Sequence, residues 1–252
     1  MENEPVVTAG AEPGLDVYIG WDSRFPEPAD VLAQSIRDHA SIPVRIRFLK
    51  YAELQRTHGF SRAFDPLAST EFTYTRFLVP WLQGYRGKAL FLDNDMLCLA
   101  DVAELERLDM RPYALRVVQH DHQPTESVKM YGCVQTSYPR KNWSSLMLMD
   151  CARLRLWTKE VVESASGAYL HRFQDILDEA IGSVPPEWNH LDRPDHTTKL
   201  IHWTSGGPWF EQYRDCPGAD LWMRARDRWR SLQSSSACDA PIGVPVTPAW
   251  AT

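Results

Sequence analysis

The amino-acid sequence predicts an α/β fold in which a mostly parallel central sheet is flanked by helices. The first observation is a strand–helix–strand order near the N-terminus. The apolar run Leu15–Gly20 is typical of a strand, and Val44, Ile46 and Phe48 alternate with arginines at the period of a second strand. This order indicates a βαβ unit and therefore a parallel sheet. The second observation is the unbroken apolar run 89–92, which is typical of a central strand covered on both faces.

The elements follow in order along the chain. The first helix is expected to carry Val31, Leu32 and Ile36 on its apolar side, with Asp30 as its N-terminal cap. Pro80 is expected to bend or end the second helix. The elements predicted after the second strand are a helix over 71–82, a strand over 88–93, a helix capped by Asp101, strands over 113–119 and 144–149, helices over 158–164 and 169–179, a strand over 199–203 and a helix over 220–233.

The chain length of 252 residues suits one large domain. Residues 1–14 are polar and acidic, and we expect them to form a loose leader. The domain is predicted over 15–233, and the small, proline-containing segment 234–252 is predicted to be a flexible tail. Residues 120–140 form a polar, irregular stretch of a length that usually carries function or disorder.

Charge and cysteine content narrow the possible partners. The formal net charge is −6 and the sequence has no basic stripe, so neither nucleic acid nor an anionic lipid surface is expected as a partner. The five cysteines are widely spaced without a CxxC pair, which argues against a zinc site or a disulfide framework and fits a reducing cytoplasm. The N-terminus does not resemble a signal peptide, and no apolar run is long enough to cross a membrane. We therefore expect a cytoplasmic protein.

Two carboxylates follow the buried strand, in the string Leu92-Asp93-Asn94-Asp95-Met96. Ligands of open α/β sheets bind at the carboxyl ends of the strands. Burying both carboxylates would be costly unless a cation paired with them, and oxygen ligands suit Mg²⁺ or Mn²⁺. The alternative is an ordinary strand-ending turn in which Asp93 and Asp95 cap backbone amides.

A later apolar strand leads to His202, which is followed by Gly206, Gly207 and Trp209. An imidazole nitrogen can complete a metal site that already has two aspartates. The glycine pair would allow the backbone to approach a phosphate group closely. The alternative is a core histidine that is hydrogen-bonded at a strand end.

Together these strings resemble glycosyltransferases of the GT-A type. Asp93-Asn94-Asp95 resembles their DxD motif, and the run from His202 to Trp209 is similar to the late His-x-x-Gly-x-x-Lys-Pro-Trp signature of glycosyltransferase family 8. That family includes glycogenin and bacterial galactosyltransferases. The resemblance spans residues 16–210. It implies a single Rossmann-like GT-A domain and a hexosyltransferase that uses a nucleotide-sugar donor, expected to be a UDP-hexose, with Mn²⁺ or Mg²⁺ and with retention of the anomeric configuration.

The resemblance also implies roles for individual residues. Asp93, Asp95 and His202 would hold the metal. Arg76, Gln174 and Asp175 would be the catalytic groups, with Arg76 near the diphosphate. The residues that would contact the donor nucleoside, diphosphate or sugar are Tyr18, Gly20, Asp22, Arg76, Asn94, Asn142, Ser144, Ser145, Gly206 and Gly207. A surface salt bridge for Arg76, a turn for Asn142 and the polar face of a helix for Gln174 and Asp175 remain alternatives.

Four departures make the chain an outlying relative of that family. Three residues instead of two separate His202 from Gly206, and Gly207 stands where the family has lysine. Phe173 replaces the first aspartate of an Asp-Gln-Asp motif, and Trp143 replaces a small residue. These differences concern the parts of the site that would contact the diphosphate and the sugar.

Other functions remain open at this stage. A nucleotidyltransferase would be expected to carry a glycine-rich basic loop after the first strand, and Gly20-Trp21-Asp22-Ser23-Arg24 is not glycine-rich. A phosphatase with an aspartyl nucleophile would be expected to have threonine or valine at the position of Met96. A nucleotide-sugar-binding protein without activity is the third alternative. The acceptor could be a saccharide, a lipid-linked glycan, a protein side chain or a small metabolite.

Overall fold

Six strands form the central sheet of the structure, a computed structural model that describes residues 14–65, 68–121 and 140–238. They are β1 (Leu15–Gly20), β2 (Val44–Leu49), β3 (Lys88–Leu92), β5 (Leu115–Val117), β6 (Leu146–Asp150) and β7 (Ile181–Ser183). Their order across the sheet is β2-β1-β3-β6-β5-β7. Strand β6 runs antiparallel to both of its neighbours, whereas the other pairs are parallel. The predicted α/β fold with a mostly parallel sheet is confirmed.

A small second sheet continues from the end of β3. Its strands are β4 (Met96–Cys98), β8 (His190–Leu191) and β9 (Leu200–His202), in the order β4-β9-β8. Strand β4 is antiparallel to β9, and Met96 lies opposite His202 in that pair. The segment 93–95 therefore connects the two sheets.

Helices cover both sheets. The α-helices are α1 (Glu27–His39), α2 (Tyr51–His58), α3 (Val79–Leu82), α4 (Ala103–Glu106), α5 (Lys159–Ser164), α6 (Gly167–His171) and α7 (Ala219–Cys238). The 3₁₀ turns are Thr75–Leu78, Trp143–Ser145, Cys151–Arg153, Asp178–Ala180, Pro186–Asn189 and Glu211–Tyr213. Within the described part of the chain, no helix combines the length and the apolar character that a membrane span requires.

The middle of the central sheet is buried on both faces because β1, β3 and β6 are apolar at consecutive positions. On one face, Tyr18 and Phe91 belong to a core cluster with residues of α3, α5 and α6. On the other face, Ile19 and Leu90 pack with residues of α1. Successive side chains of a strand point to opposite faces, so each continuous apolar run supplies both cores.

Two of the predicted helices begin or break differently from the expectation. Asp30 is not the cap of α1, because the helix begins at Glu27 after Pro26 and Asp30 lies in its first turn. Pro28 occupies one of the first two positions of the helix, where the N–H that proline lacks would have no partner within the helix. The helix predicted over 71–82 is instead a 3₁₀ turn followed by α3, and Pro80 lies in the first turn of α3.

The helix predicted over 169–179 is also wrong. Helix α6 ends at His171, and Phe173 has a φ of 51°, a left-handed conformation that interrupts a helix. Gln174 and Asp175 therefore lie in a turn beyond α6.

Helix α7 extends past the predicted end of the domain at residue 233 and reaches Cys238. Residues 1–13, 66–67, 122–139 and 239–252 lie outside the described residues. The division into leader, domain and tail therefore stays a prediction.

Replacing Gly20 with alanine should lower the free energy of unfolding by about 1–3 kcal/mol, because an added Cβ would lie 2.4 Å from Cδ2 of Phe72 in the core. Urea denaturation followed by tryptophan fluorescence measures the change. Gly167→Ala is the matched control, since the nearest heavy atom, Tyr74 Oη, would lie 3.5 Å from the new carbon. We expect that control to stay within about 0.5 kcal/mol of the original protein. Equal stability of the two variants would contradict the close packing at Gly20.

Candidate active site

The structure brings Asp93, Asp95 and His202 together at the junction of the two sheets. One ligand atom from each residue lies within 4.8 Å of the other two. Nε2 of His202 is 3.3 Å from Oδ1 of Asp95. Asp95 and His202 are buried, and Asp93 is partly buried. Two carboxylates and an imidazole at this spacing can share one divalent cation.

Backbone hydrogen bonds explain why these three residues meet. The N–H of Asp93 donates to the carbonyl of Ser145, which immediately precedes β6 (2.9 Å). The N–H of Trp203 donates to the carbonyl of Asp95, which immediately precedes β4 (3.0 Å). The segment 93–95 is therefore held at both ends, by β6 and by the end of β9, and His202 lies beside Asp95.

A buried asparagine orients the imidazole of His202. Nδ1 of His202 lies 2.9 Å from Oδ1 of Asn189, and Nδ2 of Asn189 donates to Oγ of Ser145 (2.8 Å). Ser145 in turn donates to the carbonyl of Asn142 (2.6 Å). Because the Ser145 hydroxyl proton is used there, its oxygen accepts from Asn189, and the asparagine oxygen faces the N–H of His202. This arrangement leaves Nε2 of His202 directed to Asp95.

Asn189 was not among the residues predicted from the sequence. It is 1% exposed and lies at the end of the 3₁₀ turn Pro186–Asn189, directly before β8. No motif in the sequence marks it, because its role depends on contacts with residues that are distant in the chain. Partners of this kind commonly orient metal-binding histidines.

The electrostatic environment of His202 favours a positive charge. Burial would lower the pKa of His202, but the carboxylates of Asp95, Asp93 and Asp192 outweigh burial and raise the pKa above its ordinary value. The carboxylate of Asp95 therefore faces a nitrogen that has an increased affinity for a proton. A proton and a metal ion compete for such a nitrogen.

Arg76 is buried against Asp93 and is not a surface residue. Its Nη1 lies 2.7 Å from Oδ1 of Asp93, and its side chain is 6% exposed. The same nitrogen donates to the carbonyl of Ser144 (2.9 Å), and Nε donates to the carbonyl of Phe72 (3.4 Å). These contacts fix the guanidinium and hold the Asp93 carboxylate in one orientation.

A cavity of about 300 Å³ opens over this cluster. Arg76, Asp93, Asp95 and His202 line one side of it. Asn142 lines it as well, and its buried Nδ2 has no hydrogen-bond partner among the described residues. Most of the other lining groups carry hydroxyls, from Ser69, Thr70, Thr73, Tyr74, Ser144, Ser145 and Thr204. Such a wall can form hydrogen bonds with a polyhydroxylated ligand.

The structure does not bring the predicted donor-binding residues of β1 and of the segment after it, Tyr18, Gly20 and Asp22, to this cavity. Tyr18 is 3% exposed and belongs to the core. Burial raises the pKa of Tyr18 to about 12. Gly20 makes room for the ring of Phe72. The Asp22 carboxylate accepts hydrogen bonds from the side chain of Arg24 (2.6 and 2.8 Å). These three residues have structural roles here, and a contact with the nucleoside is untested.

The predicted glycine pair also has a packing role. A Cβ on Gly206, which has a φ of 136°, would lie 2.4 Å from the Tyr213 ring. A Cβ on Gly207 would lie 2.1 Å from the Trp209 ring. Neither glycine lines the cavity, whereas the nearby Thr204 does. Their approach to a diphosphate stays a prediction.

The remaining predicted residues lie apart from the cavity lining. Gln174 is exposed. Asp175 is partly buried, and burial raises the pKa of its carboxyl. Asn94, between Asp93 and Asp95 in the sequence, is buried but does not line the cavity. The structure therefore brings together the three predicted ligands Asp93, Asp95 and His202 and places residues of the 142–145 turn in the cavity wall, while their roles stay predictions. The sequence did not predict His171 of α6, which also lines the cavity.

Replacing Asn189 with alanine should weaken Mn²⁺ binding roughly 10- to 100-fold, because His202 loses the acceptor that orients it. Electron paramagnetic resonance of free Mn²⁺ measures the dissociation constant. Thr198→Val is the matched control, since Thr198 Oγ1 makes a 2.8 Å contact with Nδ1 of another histidine, His190, outside this cluster. The control should bind Mn²⁺ normally. An unchanged affinity in Asn189→Ala that retains its circular dichroism spectrum would contradict the orienting role.

Comparison with solved structures identifies the fold. The bifunctional glycosyltransferase WbbM aligns with a TM-score of 0.58 at 15% identity, over 87% of this chain and 50% of WbbM. The glycosyltransferase GlyE of Streptococcus pneumoniae TIGR4 aligns with a TM-score of 0.56 at 14% identity, over 89% of this chain and 64% of GlyE. The galactosyltransferase LgtC, solved with donor and acceptor sugar analogs, aligns with a TM-score of 0.54 at 14% identity, over 86% of this chain and 99% of LgtC.

The chain thus spans about half of WbbM and somewhat less than two thirds of GlyE. At these identities the likeness establishes the fold alone, which is that of GT-A glycosyltransferases. Membership of family 8 in particular is not established by it. No protein-family model matches the sequence.

A relative is found among curated proteins. Protein CDI of Arabidopsis thaliana is 42% identical over 234 residues, which cover 89% of this chain and 90% of that protein. The match therefore covers nearly the full length of both chains. This protein therefore belongs to the same family as Protein CDI.

Proposed function

We propose that this protein is a metal-dependent glycosyltransferase that moves a hexosyl unit from a nucleotide-sugar, most simply a UDP-hexose, to an acceptor. The observation that carries the proposal is the cluster of Asp93, Asp95 and His202 at the base of a hydroxyl-lined cavity. The GT-A fold supports glycosyl transfer as the reaction class.

The side chains fit a divalent cation such as Mn²⁺ or Mg²⁺. Two carboxylates provide oxygen ligands, and Nε2 of His202 provides a nitrogen whose orientation Asn189 fixes. Arg76 pairs with Asp93, and Nε2 of His202 lies 3.3 Å from Asp95. A cation held there supplies electrostatic stabilisation of the negative charge that develops on a leaving diphosphate.

Arg76 contributes a second positive charge at the cavity surface. Its guanidinium is fixed by Asp93 and by two backbone carbonyls before any ligand binds. A preorganised charge stabilises a transition state without reorganisation at the moment of reaction. We propose that Arg76 keeps the Asp93 carboxylate in its metal-binding orientation and faces the leaving diphosphate.

The turn 142–145 forms the proposed wall for the transferred sugar. The backbone carbonyl of Asn142 is engaged by Ser145, whereas Nδ2 of Asn142 is buried and lacks a hydrogen-bond partner among the described residues. An unpartnered buried donor is costly unless a ligand supplies an acceptor. A sugar hydroxyl would supply one, which supports a hexosyl group at this wall.

The placement of Asp175 supports a same-face mechanism. A double displacement requires a carboxylate on the sugar face opposite the leaving group. Asp175 does not line the cavity, and Gln174 is exposed. In the same-face mechanism the acceptor hydroxyl attacks the anomeric carbon as the bond to the diphosphate breaks, and the departing diphosphate takes the hydroxyl proton. The anomeric configuration is then retained.

A cytoplasmic location remains part of the proposal. Cys98, Cys151 and Cys216 are free thiols, and burial raises the pKa of the Cys98 and Cys151 thiols to about 12. Unpaired cysteines agree with a reducing compartment.

Asp95→Ala and His202→Ala should each lower the release of UDP from a UDP-hexose by more than about 100-fold, because loss of a ligand should exceed the effect of losing an outer-shell partner. A coupled assay for free UDP, with Mn²⁺ or with EDTA, measures the rate. Asp195→Ala is the control, since that exposed carboxylate caps a loop by bonding to Thr197. Full activity of the Asp95 and His202 variants in EDTA would reject the metal assignment. Donor binding without UDP release would instead identify an inactive binding protein.

The first product formed should have the same anomeric configuration as the donor. Proton NMR during the first turnovers distinguishes retention from inversion, because the two anomeric protons have different coupling constants. Asp175→Asn should slow transfer only moderately, and no covalent sugar adduct should accumulate. Inversion would reject the proposed mechanism, and a glycosyl–Asp175 adduct detected by mass spectrometry would replace it with a double displacement.

A further inference from the structure

His171 lies in the candidate site but has no role in the function proposed so far. It is the last residue of α6, and its side chain lines the cavity that contains Arg76, Asp93 and Asn142. Its Nδ1 is 2.8 Å from Oγ of Ser144. Its ring meets the ring of Phe77 edge-on, with centroids 5.1 Å apart and an interplanar angle of 86°. A hydrogen bond and an aromatic contact therefore fix the imidazole from two directions.

Ser144 connects His171 to the metal cluster. The Ser144 hydroxyl contacts Nδ1 of His171, and the Ser144 carbonyl accepts from Nη1 of Arg76 (2.9 Å). The same Arg76 nitrogen pairs with Asp93. Ser144 therefore contacts both His171 and Arg76, and Arg76 contacts Asp93. These contacts fix the position of the imidazole relative to the proposed metal.

The chemistry around His171 is suited to a sugar hydroxyl. A hydroxyl group can donate one hydrogen bond and accept others, so it can interact with an imidazole nitrogen and with an amide N–H. Asn142 lines the same cavity and provides such an N–H, which has no protein acceptor among the described residues. Thr70 and Thr73 add further hydroxyls to the lining.

We infer that His171 contacts the transferred hexosyl group and helps to determine which nucleotide-sugar is accepted. This inference rests on the proposed function and adds a residue from α6 to its sugar subsite. Phe173 has a positive φ, so the helix does not continue through it. His171, at the end of α6, lines the cavity, whereas Gln174, beyond Phe173, is exposed. Ser144 is the positioning residue for His171 and holds the Nδ1 side of the ring.

His171→Asn tests the inference, because an asparagine amide can replace Nδ1 as the partner of Ser144 but does not extend to the position of Nε2. Calorimetry with Mn²⁺ should compare UDP with UDP-glucose, UDP-galactose and UDP-N-acetylglucosamine. For the tightest-binding of the three sugars, the variant should lose roughly 3- to 10-fold in affinity, the range expected for one hydrogen bond. Its affinity for UDP, which lacks the sugar, should be unchanged.

His190→Asn is the matched control, since His190 also has a threonine hydroxyl at its Nδ1 (2.8 Å) but lies outside this cavity. It should bind all four nucleotides as the original protein does. His171→Ala provides a second variant if His171→Asn does not fold, and it should show the same selective loss for the UDP-sugar.

Two results would overturn the inference alone. If His171→Asn, or His171→Ala where the first variant does not fold, binds the UDP-sugar normally, His171 does not contact the sugar. If UDP and the UDP-sugar weaken equally, the contact concerns the nucleotide or the metal. If the original protein binds none of the UDP-sugars with Mn²⁺ while the metal itself binds, the proposed donor is wrong and the inference fails with it. Wild-type donor binding therefore separates failure of the proposed function from failure of the inference.

Discussion

The antiparallel pairing of β4 with β9 is the constraint on which the candidate site depends. It places Met96 opposite His202, so the residue directly before β4, Asp95, lies beside the imidazole. A shift of one residue in this register would turn the His202 side chain to the other face of the small sheet. The hydrogen bond from the Trp203 N–H to the Asp95 carbonyl extends the pairing by one step and opposes such a shift. The geometry of the metal cluster is therefore a property of backbone pairing.

Charge balance then explains the side chains around the cluster. Asp93 and Asp95 bring two negative charges into a largely buried site, and Arg76 supplies one positive charge. Removing one partner of a buried ion pair is strongly destabilising, since it leaves the other charge without compensation. Burial would lower the pKa of His202, but the carboxylates of Asp95, Asp93 and Asp192 raise it. A divalent cation at the proposed site would interact with the same carboxylates and would in turn attract the diphosphate of the proposed donor.

The sequence predicted those features that depend on short stretches of chain. Apolar runs identified β1 and β3, the alternation of apolar residues with arginines identified β2, and the two carboxylates after β3 marked the place where the structure gathers Asp93, Asp95 and His202. These signals are local, because an element and its terminal residues are adjacent in sequence. The role of Asn189 could not be predicted, since it depends on simultaneous contacts with Ser145 and His202, which come from different parts of the chain. The break after α6 was missed because Phe173 adopts a positive φ that its residue type does not favour.

The residues that the family resemblance singled out fall into two groups, those placed by strand ends and those placed by side-chain packing. Asp93, Asp95 and His202 depend on strand ends, and the structure brings them together. Tyr18 lies inside β1 and packs in the core, and Gly207 lies beyond the end of β9 and faces the ring of Trp209. The three strand-end residues have the placement that the resemblance implies, and their binding of a metal stays a proposal. Where a neighbouring ring competes for the same space, the motif residue can acquire a structural role.

The buried polar chain from Asn142 through Ser145 and Asn189 to His202 is difficult to explain by stability alone. Each hydrogen bond in such a chain contributes only about 0.5–1.5 kcal/mol net, and apolar residues of the same shape can be equally stable. A core histidine at a strand end would need one partner, yet His202 has an asparagine on one nitrogen and a carboxylate on the other. This arrangement determines which imidazole nitrogen faces Asp95, and packing of the core does not depend on which nitrogen that is. Binding of a cation does depend on it, because Nε2 then lies beside two carboxylates that could serve as ligands. The polar chain is thus better explained by metal binding than by a histidine that only completes the core.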